Sequence, residues 1–223
     1  MISRIRAVFT LVTLVTFSAA NAQEYVSTNG RLSDDQFYKL VSCAAAPGAK
    51  CKKPVVKWSK RNARRLTVGI TRIDPGIPTS RVAQVEAAAK NAIAELNASG
   101  AGIHLEYSEK RPKLPILMLD VQQGAKLQGT RISGLDGNTI DAAYVHIWWN
   151  NGLRIQRGAI VISTGLHTNA IKSTVLEEIT QGLGFLTDIK NPYYTNRSIF
   201  SENGVSVTQI KGQDLMAIRR HYP

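Results

Sequence analysis

The sequence predicts an α+β fold: a mixed five-stranded sheet with a long backing helix, a polar-bearing helix and a C-terminal helix. Three observations predict it. Apolar runs of strand length, rich in Val, Ile and Leu, recur over residues 66–163. One long segment repeats apolar residues at helical spacing. A second helical segment, residues 173–188, is apolar enough for a core yet carries Glu177, Glu178 and Gln181 on its middle turns. With the elements in that order, a sheet with helices packed on one side is the simplest way to bury every apolar face.

The 223 residues divide into a signal peptide (1–22), an N-terminal extension (23–65) and a domain (66–223). Arg4 and Arg6 precede an apolar run over residues 7–17. Ala20-Asn21-Ala22 has the small-x-small form of an export cleavage site, so Ala22 is the expected last residue of the leader. The apolar run is too short for a transmembrane helix, and no later stretch is long enough. No cysteine stands at the cleavage site, which argues against a lipid anchor and for a periplasmic or secreted protein. The formal net charge is +12, and the leader removes two arginines and no acid. The mature chain therefore stays basic and suits acidic partners such as an envelope polymer.

Within the extension, residues 23–30 read as a polar leader. Ser33 followed by Gln36 is a capping-box pattern, opening a short helix through Phe37, Leu40 and Val41 to Cys43. Cys43 and Cys51 enclose a loop with Pro47 and Gly48, most simply a disulfide in an exported chain. Lys52, Lys53, Lys57, Lys60, Arg61, Arg64 and Arg65 then follow with Trp58 among them. One aromatic does not supply the interleaved stacking of single-strand binding, so no specific nucleic-acid partner is expected.

The domain opens with a strand at 66–72, and Asp74-Pro75-Gly76 turns the chain. Thr79 or Ser80 caps the long helix, whose buried face is Val82, Val85, Ala89, Ile93 and Leu96. Further strands follow at 103–107, at 114–121 with Pro115 near its start, and at 142–149. Residues 122–138 are Gly-rich and polar, a surface excursion. The run 158–163 is apolar throughout and reads as a central strand. After the polar-bearing helix, which Ser173 is expected to cap, residues 189–203 look irregular and 213–221 form a terminal helix.

On a helix Glu177 and Gln181, four residues apart, share a face. Glu178 lies about 100° round the axis. This is the frame of the zinc-hydrolase helix H-E-x-x-H, in which two histidines hold the metal and the glutamate between them is the general base. Here Glu177 and Gln181 stand at the histidine positions and Glu178 at the base. The extended metzincin pattern continues with a glycine, a third histidine and an aspartate, where this chain has Gly184, Thr187 and Asp188. Ser198-Ile199-Phe200 resembles the turn that lies beneath the metal in that family, and residues 214–222, from Asp to Tyr, resemble its terminal helix. Over residues 66–222 the chain thus resembles the metzincins. That resemblance implies a zincin-like fold, ligand positions at Glu177, Gln181 and Thr187, and supporting roles for Gly184, Asp188 and Phe200. Residues 37–43, the basic stretch to Trp58 and the Glu-Glu-x-x-Gln-x-x-Gly helix also resemble an uncharacterised bacterial family of exported proteins and lipoproteins, domain of unknown function 2927, which implies no particular reaction.

The donor chemistry shapes the functional expectation. Glu177 offers one carboxylate, Gln181 a weak amide oxygen and Thr187 less still. His104, His146, His167 and His221 are dispersed, without a second ligand at helical spacing. No cofactor is expected; zinc or another divalent cation on oxygen ligands is the alternative. Glycoside hydrolysis would need a second carboxylate about 5–9.5 Å across a cleft, for which Asp120, Asp136 and Asp141 qualify by type. The expectation is a metzincin-like pseudoenzyme of the cell envelope that binds a peptide or polymer through its cleft or basic face. The alternative is a peptidase or cell-wall hydrolase using Glu178 as general base.

Overall fold

The computed structural model describes residues 18–21, 24–204 and 206–223. Arg4, Arg6 and the cleavage position Ala22 lie outside the described residues. Strands β1 (Ser18–Asn21) and β2 (Tyr25–Ser27) come first, then α1 (Asp34–Cys43), β3 (Lys57–Trp58) and α2 (Lys60–Ala63). The larger part holds β4 (Leu66–Ile73), α3 (Thr79–Asn97), β5 (Leu105–Tyr107), β6 (Leu114–Leu119), β7 (Ala143–Trp149), β8 (Arg154–Ser163), α4 (Ile171–Gln181), β9 (Asp188–Lys190) and α5 (Gly212–His221).

The main sheet has the order β1-β7-β8-β6-β4-β5, with β3 also pairing β8. All five expected strands are present, and the sheet has seven because β1 and β3 join it. Pairings are parallel except at β7, which runs antiparallel to both β8 and β1. β8 is central, as its apolar run predicts, but starts earlier than expected because it forms a hairpin with β7 around Asn150 and Leu153. Residues 25–27 are not a polar leader: they pair in parallel with β9 in a second small sheet. That pairing also gives strand structure to residues 189 and 190, expected to be irregular.

Helix ends show where local signals compete. Ser33 and Gln36 form the full capping box at α1. At α3 neither Thr79 nor Ser80 caps; Pro78 holds the N-cap position. Ser173 does not cap α4 either, because a short 3-10 turn (Thr168–Ala170) leads straight into it. The Ser173 hydroxyl instead donates to the Ala170 carbonyl.

One face of the sheet packs on α3 and α4, and the core there runs on into the extension through Phe37, Leu40, Trp58 and Ala63. Trp58 donates its ring N–H to the Gly182 carbonyl, fastening the extension to the end of α4. The opposite face is not left to solvent. Leu127 and Leu135, from the stretch expected to be a surface excursion, and Ile140 just after it cover Leu117, Leu119, Tyr144, Trp148 and Val161 in a second core. Glycines bend that stretch and its few leucines anchor it. No helix of the described residues is long and apolar enough to cross a membrane.

Candidate functional site

The polar residues of the Glu-Glu-x-x-Gln helix are inside the protein. α4 lies between α3 and β7, and Glu177 and Glu178 are 9% and 7% exposed. Gln181, Thr187 and Asp188 are buried with them. The apolar positions of α4 (Val175, Leu176, Ile179) join the main core, so packing fixes the helix and holds its carboxyls largely away from water.

Three residues of the motif come together. The Gln181 amide donates to Asp188 Oδ1 at 2.8 Å and more weakly to Glu177 Oε1 at 3.5 Å. β9 brings Asp188 to this place, and its backbone N–H donates to the Glu24 carbonyl at 2.9 Å. Gly184 makes the turn possible. Its φ is +111°, and a Cβ there would collide with the Val56 carbonyl. Thr187 does not join: among the described residues its hydroxyl has no partner. Glu178 stands apart as well, with Oε2 buried and unpartnered among the described residues.

Electrostatics follow from the burial. Glu177, Glu178 and Asp188 are all pushed well above the ordinary carboxylate range, first by desolvation; Asp188 then raises both glutamates further, and Glu202 raises Asp188. Asp188 is partly offset by its bond from Gln181 and by Lys53. Sequence reasoning missed Glu202, which repels Glu177 and Asp188 and is itself raised by burial and by Asp141. It missed Lys53 too, whose ammonium donates to the Leu186 carbonyl at 3.0 Å and pairs with Glu24 at 2.8 Å. No local pattern marks either residue; each arrives by the path of the chain.

These residues do not fit zinc. Gln181 turns its N–H donors to the neighbouring carboxylates, and Thr187 is a poor donor. Among the described residues no group of three or more His, Cys, Asp or Glu is placed to hold a metal ion. His146 lies on β7 beside the second core, its ring tilted against that of Trp148 at 4.4 Å between centroids, and burial lowers it to about 4. Of the carboxylates considered as catalytic partners, Asp136 accepts from Thr130 and Asp120 from Thr164, both in loops, while Asp141 accepts from Gln123.

The Ser198-Ile199-Phe200 turn is tied to α5. The Ser198 hydroxyl donates to Asp214 Oδ1 at 2.6 Å and the Ile199 N–H to Oδ2 at 2.9 Å. Phe200 is fully buried against Phe185, and its carbonyl accepts from the N–H of Ile189, next to Asp188. The Tyr222 hydroxyl donates to the Leu183 carbonyl at 2.6 Å. Cys43 and Cys51 are joined as a disulfide.

No curated protein matches the chain. The model of a family described as a protein of unknown function, DUF2927, matches residues 37–223.

Proposed function

Since the chain belongs to the DUF2927 family, whose description names no reaction, we propose from the site itself that it is an exported envelope protein binding an extended, positively charged peptide beside α4. The observation that carries this reading is the outer edge of β7. There an extended segment, β1, pairs antiparallel, Ser18 opposite Trp149 through Asn21 opposite His146. β1 falls within the leader, so export cleavage after Ala22 frees that edge. A seven-residue apolar strand with an open edge is a surface for β-strand addition.

Charge supports the choice of peptide. Glu177, Glu178, Asp188 and Glu202 form an acidic region in a basic protein, and Lys53 is drawn off by Glu24 and a carbonyl. A lysine or arginine side chain reaching these acids would ionise them and be held by charge-assisted bonds. On this reading the metzincin-like frame has exchanged zinc chemistry for an internal polar network.

The test compares the mature chain with precursor that retains its leader, using fluorescence anisotropy of labelled decapeptides. Lysine-containing extended peptides should bind the mature chain at least tenfold more tightly than the precursor, and alternate prolines should abolish binding. Equal binding by both forms would sink the proposal. A second reading, a hydrolase with Glu178 as general base, is favoured by its raised, unpartnered carboxyl, a common property of catalytic acids and bases. Peptide or peptidoglycan hydrolysis that disappears in Glu178→Gln would establish it in place of the first.

A further inference from the structure

A cavity of about 240 Å³ lies against the first turn of α5, lined by Arg31, Tyr193, Arg197, Lys211, Gln213 and Asp214 among others. We propose that this cavity binds a phosphate monoester carried on a small polar body such as a sugar.

Its cations are uncommitted. Arg31, Arg197 and Lys211 are exposed, and among the described residues none is ion-paired with a carboxylate. Arg197 is already positioned: its guanidinium lies 4.7 Å over the Tyr193 ring and donates to the Tyr193 carbonyl. An arginine held by its own stacking loses less freedom on meeting an anion, and its planar fork matches phosphate oxygens.

The wall is fixed as well. The Tyr194 hydroxyl accepts from the Leu32 N–H and donates to Gln213, and the Gln213 amide donates to the Leu32 carbonyl and to Asp34. Asp214 is the one acid in the lining. Ser198 and the Ile199 N–H occupy both its oxygens. Burial raises it to about 7, so near neutrality it offsets at most one of the three positive charges. A phosphate monoester brings about −1.5 to −2 at pH 7, close to the balance that remains. The volume leaves space for a phosphate and a sugar ring beside Tyr193. A neutral sugar would leave the three cations unanswered.

The experiment is calorimetric titration of the chain with glucose 6-phosphate, inorganic phosphate and glucose. It is run beside co-sedimentation with phosphatidylcholine vesicles with and without phosphatidic acid. Glucose 6-phosphate should bind saturably and glucose should not. The double variant Arg197→Glu/Lys211→Glu, both exposed and outside the cores, should lose at least tenfold in affinity. A control reversal of Lys60 and Arg61 should change it less than twofold. Binding to phosphatidic acid vesicles that the double variant loses would place the phosphate on a lipid headgroup; glucose 6-phosphate binding with silent vesicles would place it on a soluble ligand. Either supports a phosphate-monoester site, and the first without glucose 6-phosphate binding overturns the small polar carrier. No saturable binding by either probe, or equal binding by the double variant, overturns the site.

Discussion

At Glu178 the fold holds a carboxyl at a cost. It is buried, one oxygen has no hydrogen-bond partner among the described residues, and the charge that raises it further is another acid, Asp188. An unmatched buried polar group costs about 1–3 kcal/mol, more when charged. Glu178→Gln keeps the shape and removes a carboxyl that the native chain must keep protonated while the unfolded chain has released its proton at pH 7.5, so it is expected to raise stability there by about 1–3 kcal/mol, read as a higher denaturation midpoint in urea. A midpoint that falls would mean that the carboxylate has a compensating partner. Gln181 behaves oppositely, because it is the donor that holds Asp188 and Glu177. Gln181→Leu leaves two acids without that donor and is expected to destabilise by a similar amount in the same titration.

Among the elements, the turn between α4 and β9 concentrates most constraint in one residue. Gly184 combines a positive φ of +111° with a backbone contact that leaves no space for a Cβ. Gly184→Ala therefore strains the dihedral and displaces the Val56 carbonyl, the acceptor that faces His221. A loss of about 3 kcal/mol or more is expected, seen as a large fall in thermal midpoint. Retained stability would mean that the turn can relax. This glycine was legible in the sequence through its place in the motif, and so were the five main strands, α1 with its capping box, and the disulfide. These rest on local signals: periodicity, caps and cysteine spacing. What was not legible depends on distant pairing. Tyr25 to Ser27 become a strand only because β9 lies beside them, and Leu127, Leu135 and Ile140 become a core only because one sheet face needs cover. At the site the frame of Glu177, Glu178 and Gln181 was readable from spacing. The approach of Lys53 was not, since it comes from a segment remote in sequence, nor that of Glu202, which the chain folds back beside β9.

For the whole molecule, the buried titratable groups set how stability depends on pH, and the sign is unusual. Glu177, Glu178 and Asp188 are raised well above their ordinary values and Asp214 is raised to about 7. Above about pH 4–5 the unfolded chain has released these four protons and the native chain still holds them, so stability falls as pH rises. His221 works the other way. It faces the Val56 carbonyl and the Tyr38 hydroxyl in a buried site, and burial lowers it to about 3. His146 is lowered to about 4. Below about pH 6.5 the unfolded chain binds protons that these two native rings refuse, so stability falls with acid. Four groups oppose two between about pH 4.5 and 6.5, and above that the histidines no longer contribute a slope. The thermal midpoint is therefore expected to be highest near pH 5, to fall steadily toward pH 8, and to collapse on the acid side between about pH 4.5 and 3, where the carboxyls are protonated in both states and the histidines still act, His146 down to about pH 4 and His221 to about pH 3. Each titrating group contributes about 1.4 kcal/mol per pH unit within its window. Glu178→Gln should flatten the decline above pH 5 by that amount, while His221→Gln should soften the acid collapse and leave the decline intact. A midpoint that climbs from pH 5 to pH 8 in the unmodified chain would show that the acids around α4 are ionised in the native state and matched by positive charge.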